Sequence, residues 1–321
     1  MAQISRKQPI GILAALSTGF DTATRQLWLL VLPVGLDLFL WLGPRLKAAG
    51  LWRLVSFDIP SGLDEQTRLF AQDLQATIRH TFESTNWFVW LRPMLFGVPG
   101  LMSGVGQSPA GVPPAESQVA DGVSFFAALA VLTVLGVGLG GLYWSLIARQ
   151  ARDGRLDWGA ALGRMAVVWP RLIGLALLIA GIVFLIWMPV VTLSLLLGAA
   201  LGLFGALVVM SALALLVWLL FYVTFSLHGI VLYNQRVLDA VRASVRLGRT
   251  YFWSTFGLLA ALVAIEWGMG LIWSLAPVDS WLWAVSIGGN AFVVTGLSMA
   301  TMVFYMEHVP MPRSTLVAQV E

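Results

Sequence analysis

Arg236 to Trp253 reads RVLDAVRASVRLGRTYFW, between an apolar run ending near Leu232 and another beginning at Tyr251. Asp239, Arg242, Arg246 and Arg249 follow at steps of three, four and three, so a helix puts all four on one stripe. Val237, Leu238, Val241 and Val245 fall on the other side and give a short basic amphipathic helix. Such a helix between two spans is expected to lie in a membrane surface, its arginines on the lipid phosphates. The chain reads as a polytopic membrane protein.

Composition agrees. The 321 residues are 59% hydrophobic and 11% charged, whereas a soluble domain carries about a quarter charged residues. Mean hydropathy is +0.85. Several of the 15 tryptophans (Trp28, Trp41, Trp144, Trp169, Trp253, Trp281, Trp283) fall near the ends of apolar runs, where headgroup-level anchors are expected. The net charge of +3 comes from arginines beside the spans, which points to topology and anionic lipid headgroups as partners, with protein partners in the membrane and no nucleic acid. There is no cysteine, which excludes disulfides, thiolate metal sites and cysteine nucleophiles. No cofactor motif is visible. The N-terminal stretch Ile10–Phe20 is expected to be a retained interfacial helix.

Taken in order, residues 1–44 form that helix and a first span, Gln26 to Leu42, interrupted by Pro33. Residues 45–120 are mixed and partly charged, with Ser61 capping a helix of about Gly62 to Phe82 whose stripe is Leu63, Phe70, Leu74 and Ile78. Asn86 to Val105 is aromatic but broken by Arg92, Pro93 and Pro99, which suits a segment dipping into the interface or packing on the bundle. Gln107 to Gln118 has the composition of a flexible connector. Residues 121–308 carry five spans, near 123–147, 167–196, 204–232, 252–275 and 281–306, with basic elbows around Arg149–Arg164 and Arg236–Arg249. Prolines 170 and 189 are expected kinks. Residues 309–321 form a tail. The glycines at 136, 138, 140 and 141 lie inside an apolar run and read as close helix packing, not a nucleotide loop.

The expected fold is therefore an all-α integral membrane protein of about six transmembrane helices. It has amphipathic interfacial elbows and one long extracytoplasmic segment. Keeping both short arginine elbows on one face places them and both termini in the cytoplasm of a prokaryotic cell.

A shift of 82 residues lays Asp157 on Asp239, Ala161 on Ala243, Arg164 on Arg246 and Trp169 on Tyr251, which suggests a repeated elbow-plus-span unit. In the second elbow, Ala240, Ser244, Arg249 and Phe252 fit an A-x-x-x-S-x-x-x-x-R-x-x-F/W pattern. Over roughly residues 120–306 the chain thereby resembles prokaryotic membrane families that include the membrane domain attached to some glycerophosphodiester phosphodiesterases. The resemblance implies an architecture. It brings no catalytic residue with it.

Ionisable or amide side chains at membrane depth are costly and are functional candidates. Asp37, Glu266 and Asn290 fall at similar depth in the outer half of the expected topology and are candidates for one intramembrane polar site. His228 lies nearer the cytoplasmic face without a metal partner at helical spacing. Arg155, Arg164, Arg242, Arg246 and Arg249 are the candidate headgroup-binding residues of the elbows. No paired catalytic carboxylates, Ser/His/Asp arrangement or P-loop is present, so no catalytic residue is expected. The first functional expectation is a non-enzymatic subunit or scaffold of a membrane assembly, and the second a carrier or permease for a lipid or other amphiphile.

Overall fold

The computed structural model describes residues 11–62, 65–104, 108–109, 112–154, 158–197 and 202–309. The expected tail and the glycine-rich turn at 198–201 lie outside them, as does Arg155. Among the described residues the chain is almost wholly helical. Helix α1 is Ile12–Arg25, and a 3-10 turn Leu27–Leu30 leads into α2, Val31–Leu42. The 45–120 segment contributes β1 (Arg45–Lys47), α3 (Trp52–Val55), α4 (Glu65–Ser84) and β2 (Glu116–Gln118). The main bundle follows as α5 (Gly122–Asp153), α6 (Trp158–Leu197), α7 (Gly202–Val223), α8 (Ser226–Tyr233), α9 (Val237–Thr250), α10 (Phe252–Trp273) and α11 (Trp283–His308).

Five helical stretches are long and apolar enough to cross a membrane, and six if α1 and the Leu27–Leu42 stretch, bent by 92° at their junction, count as one. The bend matters because Leu27–Leu42 alone is short for a hydrocarbon core about 30 Å thick. Helix α1 is amphipathic, as expected. Its buried face is Ala15, Gly19 and Ala23, one small residue per turn, and its main partner is α11. A side chain on Gly19 would collide with the Gly296 carbonyl, so the two backbones approach through small residues.

Helix α11 is the centre of the bundle. Its most apolar window has the lowest hydropathy of the five, 1.5, yet 83% of that window is buried, against 11–22% for the others. Lipid-facing helices must be apolar, whereas a helix enclosed by protein can carry polar groups that find partners. Thr301 Oγ1 donates to the Ser298 carbonyl at 2.7 Å, and Tyr143 Oη donates to Thr295 Oγ1 at 3.4 Å. Around this post Tyr143, Leu146 and Ile147 of α5, Leu172 and Leu175 of α6, Ile230 of α8 and Phe304 form the main core.

Helix α5 starts at Asp121, whose Oδ1 accepts from Ser124 N at 2.9 Å, and ends at Gly154 in the left-handed region, φ 65°. These bonds from Ser124 hold the exposed Asp121 carboxyl below its usual value. Helix α6 runs unbroken through Pro170 and Pro189. Arg149 and Arg152 therefore end one long helix and Arg164 begins the next, with no separate elbow helix between them. The second basic stretch does form a helix of its own, α9, set off by a break at Tyr251. The two units matched by the 82-residue shift thus differ in structure.

Helix α9 buries a different face from the expected one. Ala240, Ser244, Leu247 and Gly248 are buried, while Leu238 is 58% exposed. Small residues win because α9 seats against Gly229 of α8 and against the break between α7 and α8. Ser244 Oγ donates to the Tyr222 carbonyl at 2.6 Å and accepts from Phe225 N at 3.2 Å, satisfying two backbone groups near that break. Ala240 and Ser244 of the resemblance pattern are thus packing positions.

The described residues of the 45–120 segment carry more regular structure than its composition suggests. Glu116–Gln118, expected as connector, pairs in parallel with Arg45–Lys47, Arg45 opposite Glu116. Lys47 Nζ donates to the Glu83 and Ser84 carbonyls at the end of α4. Its burial pulls the ammonium below the usual lysine value. A small core of Ala48, Leu51, Trp87 and Phe125 lies beneath. Helix α4 is described over Glu65–Ser84, Leu63 of the expected stripe lying outside the described residues, and the stripe is not buried: Phe70 is 69% exposed and Leu74 40%.

The tryptophans divide. Trp28, Trp253 and Trp281 are exposed, as headgroup anchors would be. Trp41 instead is buried and donates to the Val278 carbonyl at 2.9 Å, Trp283 is buried against Met102 sulfur, and Trp169 donates to the Val134 carbonyl of α5. Trp144 is half-buried against His228. These four are internal struts.

Candidate functional site

Residues 86–104 begin with a 3-10 turn, Trp87–Leu91, and continue as irregular backbone laid on α5. Two of the glycines read as a helix-packing surface receive this segment instead of a helix. A side chain on Gly136 would strike Pro93 and the Leu91 carbonyl, and one on Gly140 would strike the Phe96 carbonyl oxygen. Gly138 lies under the Trp169 ring and Gly141 beside Leu172, so those two do face a helix.

Irregular backbone within a helical bundle needs partners for its N–H and C=O groups. Asp37 and Arg92 supply them. Asp37 Oδ2 accepts from Leu101 N at 2.7 Å and Oδ1 from Met102 N at 3.0 Å. Arg92 Nε donates to the Val98 carbonyl at 3.1 Å, Nη1 to the Met102 carbonyl at 2.6 Å and Nη2 to the Gly100 carbonyl. Arg92 Nη1 also pairs with Asp37 Oδ1 at 2.8 Å, with Asp37 fully buried and Arg92 only 13% exposed. A side chain on Gly100 would collide with the Asp37 carboxylate, so glycine is needed there. The pair stitches 98–102 to α2.

Arg92 also lines a cavity of about 360 Å³ walled by the 89–103 segment, with Trp144 and Glu266 on the helix side. Asp37 and Glu266 are the two negative charges that bear on its guanidinium. No ion pair joins Arg92 to Glu266 among the described residues. A guanidinium has five N–H groups; four are engaged by Asp37 and the three carbonyls. One Nη2 hydrogen is left over. The cavity is thus lined by a guanidinium with one uncommitted hydrogen and by a carboxyl group on an apolar helix, an arrangement suited to a polar head bearing both acceptor and donor groups.

Two of the three expected intramembrane residues, Asp37 and Glu266, are therefore linked through Arg92. Asn290 is buried on α11 with its amide nitrogen unpartnered and does not line this cavity. Arg92 was visible in the sequence only as an interruption of an apolar segment. Its signal was a lone arginine between aromatic residues and Pro93, with an equally lone aspartate in a neighbouring span.

His228 sits elsewhere, buried in α8. Its Nε2 lies 2.9 Å from Thr301 Oγ1, and its ring is surrounded by Trp144, Phe225 and Tyr305. No group of three His, Cys, Asp or Glu residues that could hold a metal occurs among the described residues. Of the elbow arginines, Arg242, Arg246 and Arg249 are exposed on α9, and Arg164 is half-buried near Arg149, Arg152 and Asp153.

On the far side of the Glu266 helix a second opening is apolar. Helices α7 and α10 stand apart, leaving a groove of about 750 Å³ lined by Val217, Phe221, Phe256, Val263, Trp267 and Leu271 among others.

No family model, curated protein or solved structure matches this chain.

Proposed function

We propose that the chain is a multi-pass protein of a prokaryotic cytoplasmic membrane that binds or carries a lipid-class amphiphile, acting by binding and not by catalysis. In this reading α1 and the α2 stretch together make the first of six spans. Both termini and the α9 elbow face the cytoplasm, and residues 45–120 face outward. The observation that carries the reading is the cavity shared by Arg92 and Glu266. An amphiphile's acceptor would take the spare Arg92 hydrogen, and its hydroxyl or ammonium would meet the Glu266 carboxylate. The cost of a carboxylate on a membrane helix, about 2.5–3.5 kcal/mol on insertion scales, would then serve recognition.

The second reading is a subunit or scaffold of a membrane assembly. The apolar groove between α7 and α10 favours it, because a partner helix would fill such a gap.

Native mass spectrometry after gentle extraction separates the two. A lone chain carrying a molecule of defined mass, lost in Glu266→Gln, is the expected result. Equal retention by the variant would refute a role for the cavity. Additional protein subunits in fixed ratio would replace this reading with the assembly.

A further inference from the structure

At the His308 end of α11 a separate cavity of about 670 Å³ opens between that helix and α9. One wall is a single stripe of α9 carrying Asp239, Arg242 and Arg246; Gln235, Tyr251 and His308 close the other side. These residues come from three elements: the connector before α9, α9 with its terminal break, and the last residue of α11. The cavity lies where α9 joins the stretch ending at Tyr233 to the one beginning at Phe252, two candidate spans.

Its charges do not balance. Arg242 touches Asp239 at 3.3 Å in an exposed pair, a contact worth little in water. Arg246 has no ion-pair partner among the described residues, which leaves one full positive charge facing the cavity. His308 is held in place: its Nδ1 lies 2.9 Å from the Phe304 carbonyl, so that nitrogen carries the proton and donates. The ring stacks on Phe304 at 4.0 Å and meets the edge of Tyr251 at 4.8 Å. Nε2 is left as its free polar atom. Ala243, Leu247 and Val309 add apolar lining.

Two forked guanidinium groups and a side-chain amide around a space of headgroup size match a phosphate ester oxyanion, and the His308 Nε2 lone pair can accept from a hydroxyl of the same ester. We propose that this cavity is a discrete phosphate-binding site, distinct from the Arg92–Glu266 cavity and independent of the function suggested for it. The position between two candidate spans makes an anionic phospholipid headgroup one source of that phosphate, and a soluble phosphate the other.

The test uses the full chain in nanodiscs of zwitterionic lipid with a minor fraction of phosphatidylglycerol, followed by native mass spectrometry of lipids retained on release. Arg246→Gln is compared with Arg249→Gln, which removes a charge from the same elbow without touching the cavity. Arg246→Gln is expected to reduce retained phosphatidylglycerol about fivefold and Arg249→Gln less than about twofold. Equal losses in both variants would overturn the site in favour of a diffuse basic surface. A second arm adds inorganic phosphate to discs lacking phosphatidylglycerol. Phosphate retained by the wild type and lost in Arg246→Gln supports the site and assigns it to a soluble phosphate. Retention of neither phosphate nor phosphatidylglycerol would overturn it.

Discussion

Replacing Arg92 by Met is the most direct test of the stitched segment. Methionine keeps the length and removes the charge. The change deletes four donated hydrogen bonds and leaves Asp37, fully buried, without its cation. Breaking a buried ion pair from one side costs about 3–5 kcal/mol, mostly the penalty of the charge left behind. At about 2 °C per kcal/mol for a chain of this size, the melting temperature should fall by about 6–10 °C. Asp37→Leu alone should cost less, about 2–4 kcal/mol, because Arg92 keeps three carbonyl acceptors while the Leu101 and Met102 amides lose theirs. The double variant removes both charges at once and should be less destabilised than the sum by about 1–3 kcal/mol. The assay is thermal unfolding in one detergent, followed by size-exclusion chromatography. An Arg92→Met melting temperature within about 1 °C of wild type, or strict additivity, would refute the reasoning.

Two further outcomes follow from backbone contacts. Ser244→Ala leaves the Tyr222 carbonyl and the Phe225 amide without their side-chain partner, and should cost about 2–5 kcal/mol in the same melting assay. Arg249→Gln on the exposed face of α9 should stay within about 0.5 kcal/mol of wild type. Gly140→Ala places a methyl on the Phe96 carbonyl and should destabilise by about 1–3 kcal/mol, whereas Gly181→Ala on α6 meets nothing within 4 Å and should be neutral or slightly stabilising. If both glycine variants melted alike, the close seating of the 91–97 segment on α5 would be wrong.

The long apolar helices were legible because hydropathy is a local property: the runs near 123–147, 252–275 and 281–306 correspond to α5, α10 and α11. Which helix sits at the centre was not, because burial depends on neighbours. Helix α11 has the least apolar window of the five for the very reason that it is enclosed. The α9 elbow was read correctly as a helix, but its buried face was assigned by apolarity when backbone proximity selected Ala240, Ser244 and Gly248. Asp37 and Glu266 stood out as costly residues. Their connector did not, since Arg92 lies 55 positions from Asp37 and in a segment without periodicity. The α9–α11 cavity was half visible: the arginines announce themselves by spacing, but His308 is brought to them only by the fold.

The 55-residue separation of Asp37 and Arg92 also bears on how the protein is made. At about 5–20 residues per second, Arg92 is synthesised about 3–11 s after Asp37. During that interval the first apolar stretch is short, bent away from α1 and burdened with an unpaired carboxylate, so it is a poor candidate for stable insertion. Its commitment to the bilayer should wait until the 86–104 segment and its seat on α5 have both left the ribosome. Chains arrested before residue 92 should leave a cysteine placed at position 38 open to aqueous labelling, and chains arrested after α5 should protect it. Insertion of this stretch would then be a late event, timed by a cation synthesised after it.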